Sequence, residues 1–356
     1  MHLSEWQRLA DILVNYSTKI KKGDKVQITM MEADTFPLAR AVYAEVIKAG
    51  GLPNIEFQSA YLERDLMLYG SDEQLDWVPD LQSFGMDWAD AYIGLRGARN
   101  PHEFSSIPAQ KIVAHKRAMG TISAMRNHVK HWVLVRVPNE SFAQQAETSM
   151  DEMMSFFFNA TLIDWEKESV RYGEIKEVYQ NAESVRILGK NTDLRFSTRG
   201  RKYIVADGHF NMPDGEIFTS PIENSLEGKI YFEFPGVYAG QMAKGINLQF
   251  SSGKIVKATA DTNEQLLNEL INMDAGAQFI GEFGVGLNYG VDRFCSDILF
   301  DEKIGGTIHL AIGRGFEICN GTNHSSLHWD LIKDLRSEGK IFLDGKMVLQ
   351  NGKYQV

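Results

Sequence analysis

Apolar and polar positions follow two different rhythms along this chain of 356 residues. In residues 1 to about 165, short apolar runs alternate with stretches in which apolar residues recur at helical spacing. The strand-like runs are 24–30, 52–57, 90–97 and 131–138. Because strands that alternate with helices form βα units, this half predicts a mostly parallel sheet.

Several helices of this half can be placed from the same pattern. The first begins at Ser4, and Gln7 three residues later completes a capping-box pattern. A second covers 37–51 and ends at a pair of glycines, and 139–165 predicts one long helix with a core-facing stripe of methionine and phenylalanine. The charged segment 166–187 is interpreted as a bridge between two domains.

Beyond residue 180 the sequence becomes rich in glycine and in alternating, strand-like runs. One helix interrupts them at 262–276, with Thr262 and Gln265 as a capping box and Gly276 as its end. The tail 340–356 contains Asp-Gly and Asn-Gly turns and predicts hairpins. The predicted strand-rich segments are 192–208, 229–234 and 246–261.

These patterns predict two domains of different class. Residues 1–180 are expected to form an α/β domain with a mostly parallel sheet. Residues 181–356 are expected to form an α+β domain with a mostly antiparallel sheet. The length fits this division, because 356 residues exceed the usual size of one domain.

Charge and composition exclude several kinds of partner and compartment. The net charge is −10, which leaves no net positive field for a nucleic-acid backbone, so no nucleic acid is expected. The first residues lack a basic segment followed by an apolar run, and no membrane span is predicted. Only Cys295 and Cys319 occur, which fits a reducing, cytoplasmic location and gives no zinc site built from cysteine.

The histidines near the end of the chain are the first candidates for chemistry. His328 and Asp330 project from one face if their segment is extended, and both could then reach one cation. His309 lies in an apolar run bounded by glycines and needs a hydrogen bond or a metal there. Taken singly, these residues also fit a surface His-Asp pair and a hydrogen-bonded core histidine.

Two glutamates occur in similarly apolar, glycine-flanked surroundings. Glu216 follows a Pro-Asp-Gly turn at the start of a strand-like run. Glu282 lies among glycines and large apolar residues, where an unpaired charge is costly. Together with the histidines, these carboxylates match what a pair of divalent metal ions requires, because carboxylates can bridge two ions.

The segments that carry these residues resemble the M29 family of metal-dependent aminopeptidases, the aminopeptidase T type. The resemblance is strongest in 211–221, 281–313 and 324–332, and it is weaker in 21–30 and 131–152. Motifs for nucleotide hydrolysis, zincin proteases and serine hydrolases are absent from the sequence.

The resemblance implies the residues of the site and their roles. It implies a hydrolase that uses a bridging hydroxide on two divalent ions, which are zinc, cobalt, manganese or magnesium, with Glu216 or Glu282 as proton carrier. It further implies short peptide substrates and a homodimer with an enclosed site. The implied metal ligands are Glu216, Glu282, His309, His328 and Asp330, whereas His324 matches no ligand and is expected in a loop.

One position departs from the family pattern. A tyrosine of the family, seven residues after the strand histidine, corresponds here to Phe316, which can neither coordinate a metal nor donate a hydrogen bond. Either a neighbouring phenol such as Tyr289 replaces it, or turnover or metal affinity is altered.

Two other functions fit part of the pattern. His309, His328 and Asp330 alone have the ligand types of a mononuclear iron(II) oxygenase. A non-catalytic descendant that only binds peptides is the other alternative. Glu216 and Glu282 favour the hydrolase, because a single iron does not need them.

Overall fold

The computed structural model of this protein describes residues 3–355. Its α-helices are α1 Leu3–Asp11, α2 Phe36–Lys48, α3 Ala60–Tyr69, α4 Asp72–Asp76, α5 Asp80–Trp88, α6 Ala109–Met125, α7 Glu140–Gln145, α8 Met150–Thr161, α9 Trp165–Gln180, α10 Glu264–Ile271 and α11 Ile298–Asp301. None of the described helices is long and apolar enough to cross a membrane.

The first four strands form one sheet, and β8, which comes much later in the chain, also belongs to that sheet. The remaining strands form other sheets. The strands are β1 Lys25–Met31, β2 Leu52–Gln58, β3 Ala91–Arg96, β4 His131–Arg136, β5 Ser184–Gly189, β6 Thr192–Ser197, β7 Ile204–Ala206, β8 Asn211–Met212, β9 Glu216–Thr219, β10 Glu227–Phe232, β11 Gly236–Tyr238, β12 Gln241–Ala243, β13 Ile246–Ser251, β14 Lys254–Thr259, β15 Ile280–Gly286, β16 Thr307–Gly313, β17 His328–Asp334, β18 Lys340–Leu343, β19 Lys346–Gln350 and β20 Lys353–Tyr354.

By its internal contacts the chain divides into two compact units. The first contains Met1–Leu162 and Gly208–Pro213, and the second contains Ile163–Asp207 and Asp214–Val356. The predicted domain boundary at residue 180 stays a prediction.

The first unit contains a parallel sheet, as the alternating strands and helices predict. Its order is β2-β1-β3-β4-β8, and every neighbouring pair runs parallel. Val26, Ile93 and Val133 occupy adjacent central strands and are completely buried. The predicted α/β class is confirmed, and each of the four predicted strands is present.

Two helix predictions for this unit are wrong in detail, one in its length and one in its capping residue. The long helix expected at 139–165 is divided into α7 and α8, because Glu147 adopts a φ of 54° that a helix cannot continue through. Ser149 and Glu152 then form the capping box that starts α8. Ser4 is not a cap, since it lies inside α1 and donates its hydroxyl to Glu5.

The segment interpreted as a bridge between domains is mostly helix α9 followed by β5. Although the segment is rich in charged residues, helix α9 has a buried face. Tyr172, Ile175 and Tyr179 recur there at helical spacing and are at most 4% exposed. Helix α9 belongs to the second compact unit.

The second unit is built mainly from antiparallel sheets, as predicted. An eight-stranded sheet has the order β14-β13-β10-β6-β5-β18-β19-β20, and a five-stranded sheet has the order β17-β16-β15-β9-β7. The tail forms the predicted hairpins, with Asp344-Gly345 and Asn351-Gly352 at the turns in positive φ. The predicted α+β class is therefore confirmed.

The helix expected at 262–276 is shorter than predicted. Helix α10 begins after Asn263, which has a left-handed backbone and no capping side-chain bond. Thr262 instead bridges to Lys244, so the predicted capping box with Gln265 is wrong. The helix ends at Ile271, before Gly276.

Candidate metal centre

From Glu282 to Gly286, one face of strand β15 carries a single side chain, a carboxylate, and is called the glycine face below. Residues two apart along a strand point to the same side, so Glu282, Gly284 and Gly286 share this face. A Cβ on Gly284 would lie 2.0 Å from Nε2 of His309, and one on Gly286 would lie 2.1 Å from the carbonyl oxygen of Ile304. Glycine at both positions therefore makes room for an imidazole and for the segment after α11.

The register of neighbouring strands brings the other predicted residues to this face. Glu282 pairs with Ala311 of β16, and Ala311 pairs with Asp330 of β17. Since alanine has a small side chain, the two carboxylates can approach each other across it. His309 and His328 lie two residues before Ala311 and Asp330, on the same faces of their strands. The extended segment that the His328–Asp330 prediction requires is confirmed.

Four short contacts join the predicted residues into one cluster. Nε2 of His309 lies 3.2 Å from Oε2 of Glu216 and 3.5 Å from Oε1 of Glu282. Nε2 of His328 lies 3.2 Å from Oε2 of Glu282 and 3.6 Å from Oδ2 of Asp330. The two oxygens of Glu282 therefore face two different imidazoles.

The possible ligand atoms form two groups, in each of which one atom per residue lies within 4.8 Å of the others. The first group is Glu216, Glu302 and His309, and the second group is Glu282, His328 and Asp330. Glu302 was missed in the sequence, because it follows the four-residue helix α11 in no recognisable pattern. Glu302 comes close to Glu216 only in the folded chain, where both carboxylates contact Lys303.

Buried polar atoms in the cluster test whether a cation fits. Oε2 of Glu216, Oδ1 of Asp330 and both ring nitrogens of His309 have no hydrogen bond within residues 3–355. His309 is 0% exposed and Glu216 is 5% exposed, so water does not satisfy them from the surface. Because unpaired buried polar atoms are costly, this donor set of carboxylate oxygens and imidazole nitrogens fits divalent metal ions.

The chain also has the sequence pattern of one protein family along nearly its whole length. Residues 3–354 match the family of thermophilic metalloproteases (M29). The chain belongs to the M29 family. The predicted family is thus confirmed, and so is the predicted enzyme class, a metalloaminopeptidase, at the level of the family.

Individual relatives agree with this M29 assignment. The chain is 24% identical over 361 residues to aminopeptidase T of Thermus thermophilus, covering 87% of this chain and 85% of that protein. The structure of wild-type AmpT from Thermus thermophilus aligns over 100% of both chains with a TM-score of 0.87 at 21% identity. At that identity the structural likeness shows the fold alone.

A second solved structure has the same fold and a different chemistry. The 2,5-dihydroxypyridine dioxygenase of Pseudomonas putida KT2440 aligns over 99% of this chain and 97% of its own, with a TM-score of 0.64 at 14% identity. This likeness also shows the fold alone.

Phe316 lies where the M29 resemblance expects a tyrosine beside the site. Its ring centroid is 5.1 Å from that of His328 and 5.5 Å from that of Phe218. Tyr289 does not supply the missing hydroxyl from the position seen here, because its phenol donates to the carbonyl of Gly352 at 2.8 Å. That Tyr289 replaces the family tyrosine stays a prediction.

One histidine of the M29 site is oriented by the backbone. Nδ1 of His328 lies 3.0 Å from the carbonyl oxygen of Arg314. A carbonyl only accepts, so Nδ1 carries a proton, and Nε2 is the ring nitrogen that faces the cluster and could bind a metal ion once it is deprotonated. His324 lies exposed in the loop before β17, as expected for a residue outside the ligand set.

The carboxyl groups have shifted pKa values for different reasons. Burial raises the pKa of Glu216 to about 8, although the neighbouring Lys303 opposes the shift. Burial also raises the pKa of Asp330 to about 7, against the effect of His328. Burial acts on Glu282 in the same direction, but the two imidazoles beside it outweigh burial and lower its pKa to about 2.

Both imidazoles gain affinity for a proton from these carboxylates. Burial lowers the pKa of His309, but Glu282 and Glu216 outweigh it and raise the pKa to about 9. The pKa of His328 is raised to about 9 as well, because Glu282 and Asp330 outweigh burial. The cluster therefore attracts positive charge, which a divalent ion supplies more strongly than a proton.

Lys303 adds one fixed cation at the edge of the first group. Its ammonium lies 2.6 Å from Oε1 of Glu216, 2.6 Å from Oε1 of Glu302 and 3.8 Å from Oδ1 of Asp214. Burial lowers the pKa of Lys303, but these carboxylates outweigh burial and raise it. The side chain is 0% exposed and stays charged.

Proposed function

We propose that this M29 protein is an aminopeptidase that removes N-terminal residues from short peptides at a dinuclear metal site. The observation that carries the proposal is Glu282, whose two oxygens face His309 and His328, one from each ligand group. A carboxylate with one oxygen toward each of two groups has the arrangement of a bridging ligand. Glu216 and His309 would hold one ion, with Glu302 beside them, and His328 and Asp330 would hold the other.

The charges of the cluster support two ions rather than one. With neutral imidazoles and every carboxylate ionised, five carboxylates and one ammonium leave a net charge of −4, which two divalent ions offset more fully than one ion does. The groups counted are Asp214, Glu216, Glu282, Glu302, Asp330 and Lys303.

The chemistry expected at this site is metal-assisted hydrolysis of a peptide bond. When bound, two ions of zinc, cobalt, manganese or magnesium supply an ionised water near neutral pH and polarise the scissile carbonyl. The protein's own side chains fix the geometry: the Arg314 carbonyl orients His328, and the glycine face of β15 seats His309. Proton transfer to the leaving amine requires a carboxylate beside the ions. Of the two candidates, Glu282 has both oxygens directed at the two ligand groups, so we assign this transfer to Glu216.

The rival iron(II) oxygenase is less well supported. Its three ligands would be His309, His328 and Asp330, but His309 belongs to one ligand group and the other two belong to the second. It also leaves Glu216 and Glu282 without a role. The likeness to a dioxygenase concerns the fold and does not favour this function.

The test combines metal content with activity on a matched pair of substrates. The protein is stripped with a chelator, loaded separately with each of the four metals, and assayed with leucine 4-nitroanilide and with its N-acetylated form. We expect activity to return with two ions per chain and the acetylated substrate to resist cleavage. Activity with one ion, or equal cleavage of both substrates, would contradict the proposal. Turnover of oxygen by the iron(II)-loaded protein would favour the oxygenase.

The resemblance to the M29 family also supports a homodimer, and the low cysteine content supports a cytoplasmic location. Both remain part of the proposal. The molar mass of the protein in solution, measured by light scattering after size exclusion, tests the dimer.

A further inference from the structure

The buried lysine of the cluster contacts only one of the two ligand groups. Lys303 pairs with Glu216 and Glu302 of the first group, and each pair occupies the Oε1 atom of its glutamate. The other oxygen of Glu216 faces His309. One oxygen of this carboxylate is thus held by an internal cation, and the other is directed into the site.

The second group has no such partner in the described part of the chain. The salt-bridge contacts of Glu282 and Asp330 within residues 3–355 are made with imidazoles and not with lysine or arginine. An imidazole that binds a metal through Nε2 is neutral. The carboxylates of the second group therefore depend on bound metal for compensating charge, whereas those of the first group already have Lys303.

The backbone around Lys303 fixes it at this position. The segment after α11 passes so close to β15 that only glycine fits at Gly286, 2.1 Å from the Ile304 carbonyl for a built Cβ. The amide of Asn288 also donates to the Lys303 carbonyl at 3.1 Å. The backbone that carries the side chain is therefore fixed, and the side chain itself is 0% exposed.

We propose that Lys303 is a built-in counter-ion that holds the first group together without a metal ion and makes it the weaker of the two metal sites. This inference rests on the dinuclear site proposed above. The ammonium repels a divalent ion on the far oxygens of the same carboxylates, and in a buried place that repulsion is weakly screened. The second group is filled first, and the first group is filled last and exchanges its ion more readily.

Replacement of the lysine by a neutral side chain of similar length tests this role. In Lys303→Met the carboxylates of Asp214, Glu216 and Glu302 face one another without the ammonium, so an ion at the first group becomes their main source of positive charge. We expect two binding steps at least about tenfold apart in the wild type, and a separation below about tenfold in Lys303→Met because the weaker step has tightened.

The measurement is calorimetric titration of the chelator-stripped, full-length protein with cobalt(II), followed in parallel by the cobalt absorption spectrum. The melting temperature with and without cobalt gives a second readout. Because the variant lacks an internal cation, its melting temperature is expected to rise more on cobalt binding than that of the wild type.

Three further variants serve as controls. Lys303→Arg keeps the charge and is expected to retain two separated binding steps. Lys346→Met removes an exposed lysine from a hairpin and should leave both steps unchanged. If Lys303→Met does not fold without metal, the double variant Asp214→Asn/Lys303→Met restores the net charge without altering either ligand group. We expect this double variant to fold and to show a reduced separation.

The outcomes separate this inference from the proposed function. Two ions bound by the wild type with equal affinity would overturn the role of Lys303 alone. So would two binding steps that stay as far apart in the single and the double variant as in the wild type. Fewer than two ions bound by the wild type would overturn the dinuclear site and this inference together. Two binding steps that are separated in the wild type and move closer in affinity only in the variants without the Lys303 charge would support both the dinuclear site and the role of Lys303.

Discussion

At the scale of single residues, replacement of Glu282 tests whether the two metal ions share one ligand or bind at two independent sites. Glu282→Gln keeps the shape but turns one oxygen into an amide nitrogen that cannot bind a metal. We expect the variant to bind at most one ion tightly and to lose at least about 100-fold in kcat/KM. Metal content by mass spectrometry and leucine 4-nitroanilide hydrolysis measure both effects.

The exposed Glu317 gives the matched control for that change. Glu317→Gln carries the same substitution on a short surface helix and should leave metal content and activity unaltered. Two ions retained by Glu282→Gln would contradict a bridging role.

Phe316 allows a gain of function to be predicted at the same scale. Its ring lies beside His328, so Phe316→Tyr adds a phenol at the edge of the cluster. A donor near the developing oxyanion stabilises the transition state, and we expect kcat to rise by about tenfold or more. Steady-state kinetics with leucine 4-nitroanilide measure the change. Phe218→Tyr, on the neighbouring ring, is the control and should not raise kcat.

At the scale of elements, the glycine face of β15 is as important for metal binding as the ligands that pack against it. Gly284→Ala puts a methyl group where Nε2 of His309 now lies, only 2.0 Å from the built Cβ. Because β16 is buried along its length, the imidazole cannot move aside without cost. We expect the variant to lose affinity for at least one metal ion by roughly 10-fold or more. Calorimetric titration with cobalt measures the loss.

Gly120 provides the comparison for Gly284. It lies in α6, and a Cβ there meets nothing within 4 Å. Gly120→Ala should leave metal binding unchanged and stabilise the protein by up to about 1 kcal/mol, because alanine favours the helix. Unaltered metal affinity in Gly284→Ala would show that the glycine face is not required.

Elements with a strong local pattern could be predicted, and their ends could not. The parallel strands of the first unit and the hairpins of the tail follow from alternation and from turn residues that need positive φ. The ends of α1, α8 and α10 depend on single backbone angles and capping contacts, such as the left-handed backbone of Asn263 before α10. Similar sequences can end a helix with different caps, so these ends do not follow from the sequence.

The candidate site shows the same division between local and distant information. Glu216, His309 and the His328–Asp330 pair each lie in a recognisable strand, and the family resemblance united them. Glu302 has no such context, because its place depends on the pairing of β9, β15 and β16 across distant parts of the chain.

At the scale of the whole molecule, metal binding should couple directly to stability. The cluster connects β9, β15, β16 and β17 of one sheet, so an ion bound only by the folded protein stabilises all of them. At a free metal concentration of 100 times Kd, one site contributes about 2.7 kcal/mol. We expect chelator to lower Tm and zinc or cobalt to restore it, as measured by circular dichroism. An unchanged Tm would mean that the cluster is stable without cations.

The position of β5 has a consequence for the order in which a growing chain can fold. Ile187 of β5 pairs on one side with Leu194 of β6, which is made almost at once, and on the other side with Ile341 of β18. The ribosome must therefore synthesise the whole metal cluster before that second edge of β5 can close. Until then the edge is open to other strands, and the nascent chain stays exposed to aggregation until its last hairpins are complete.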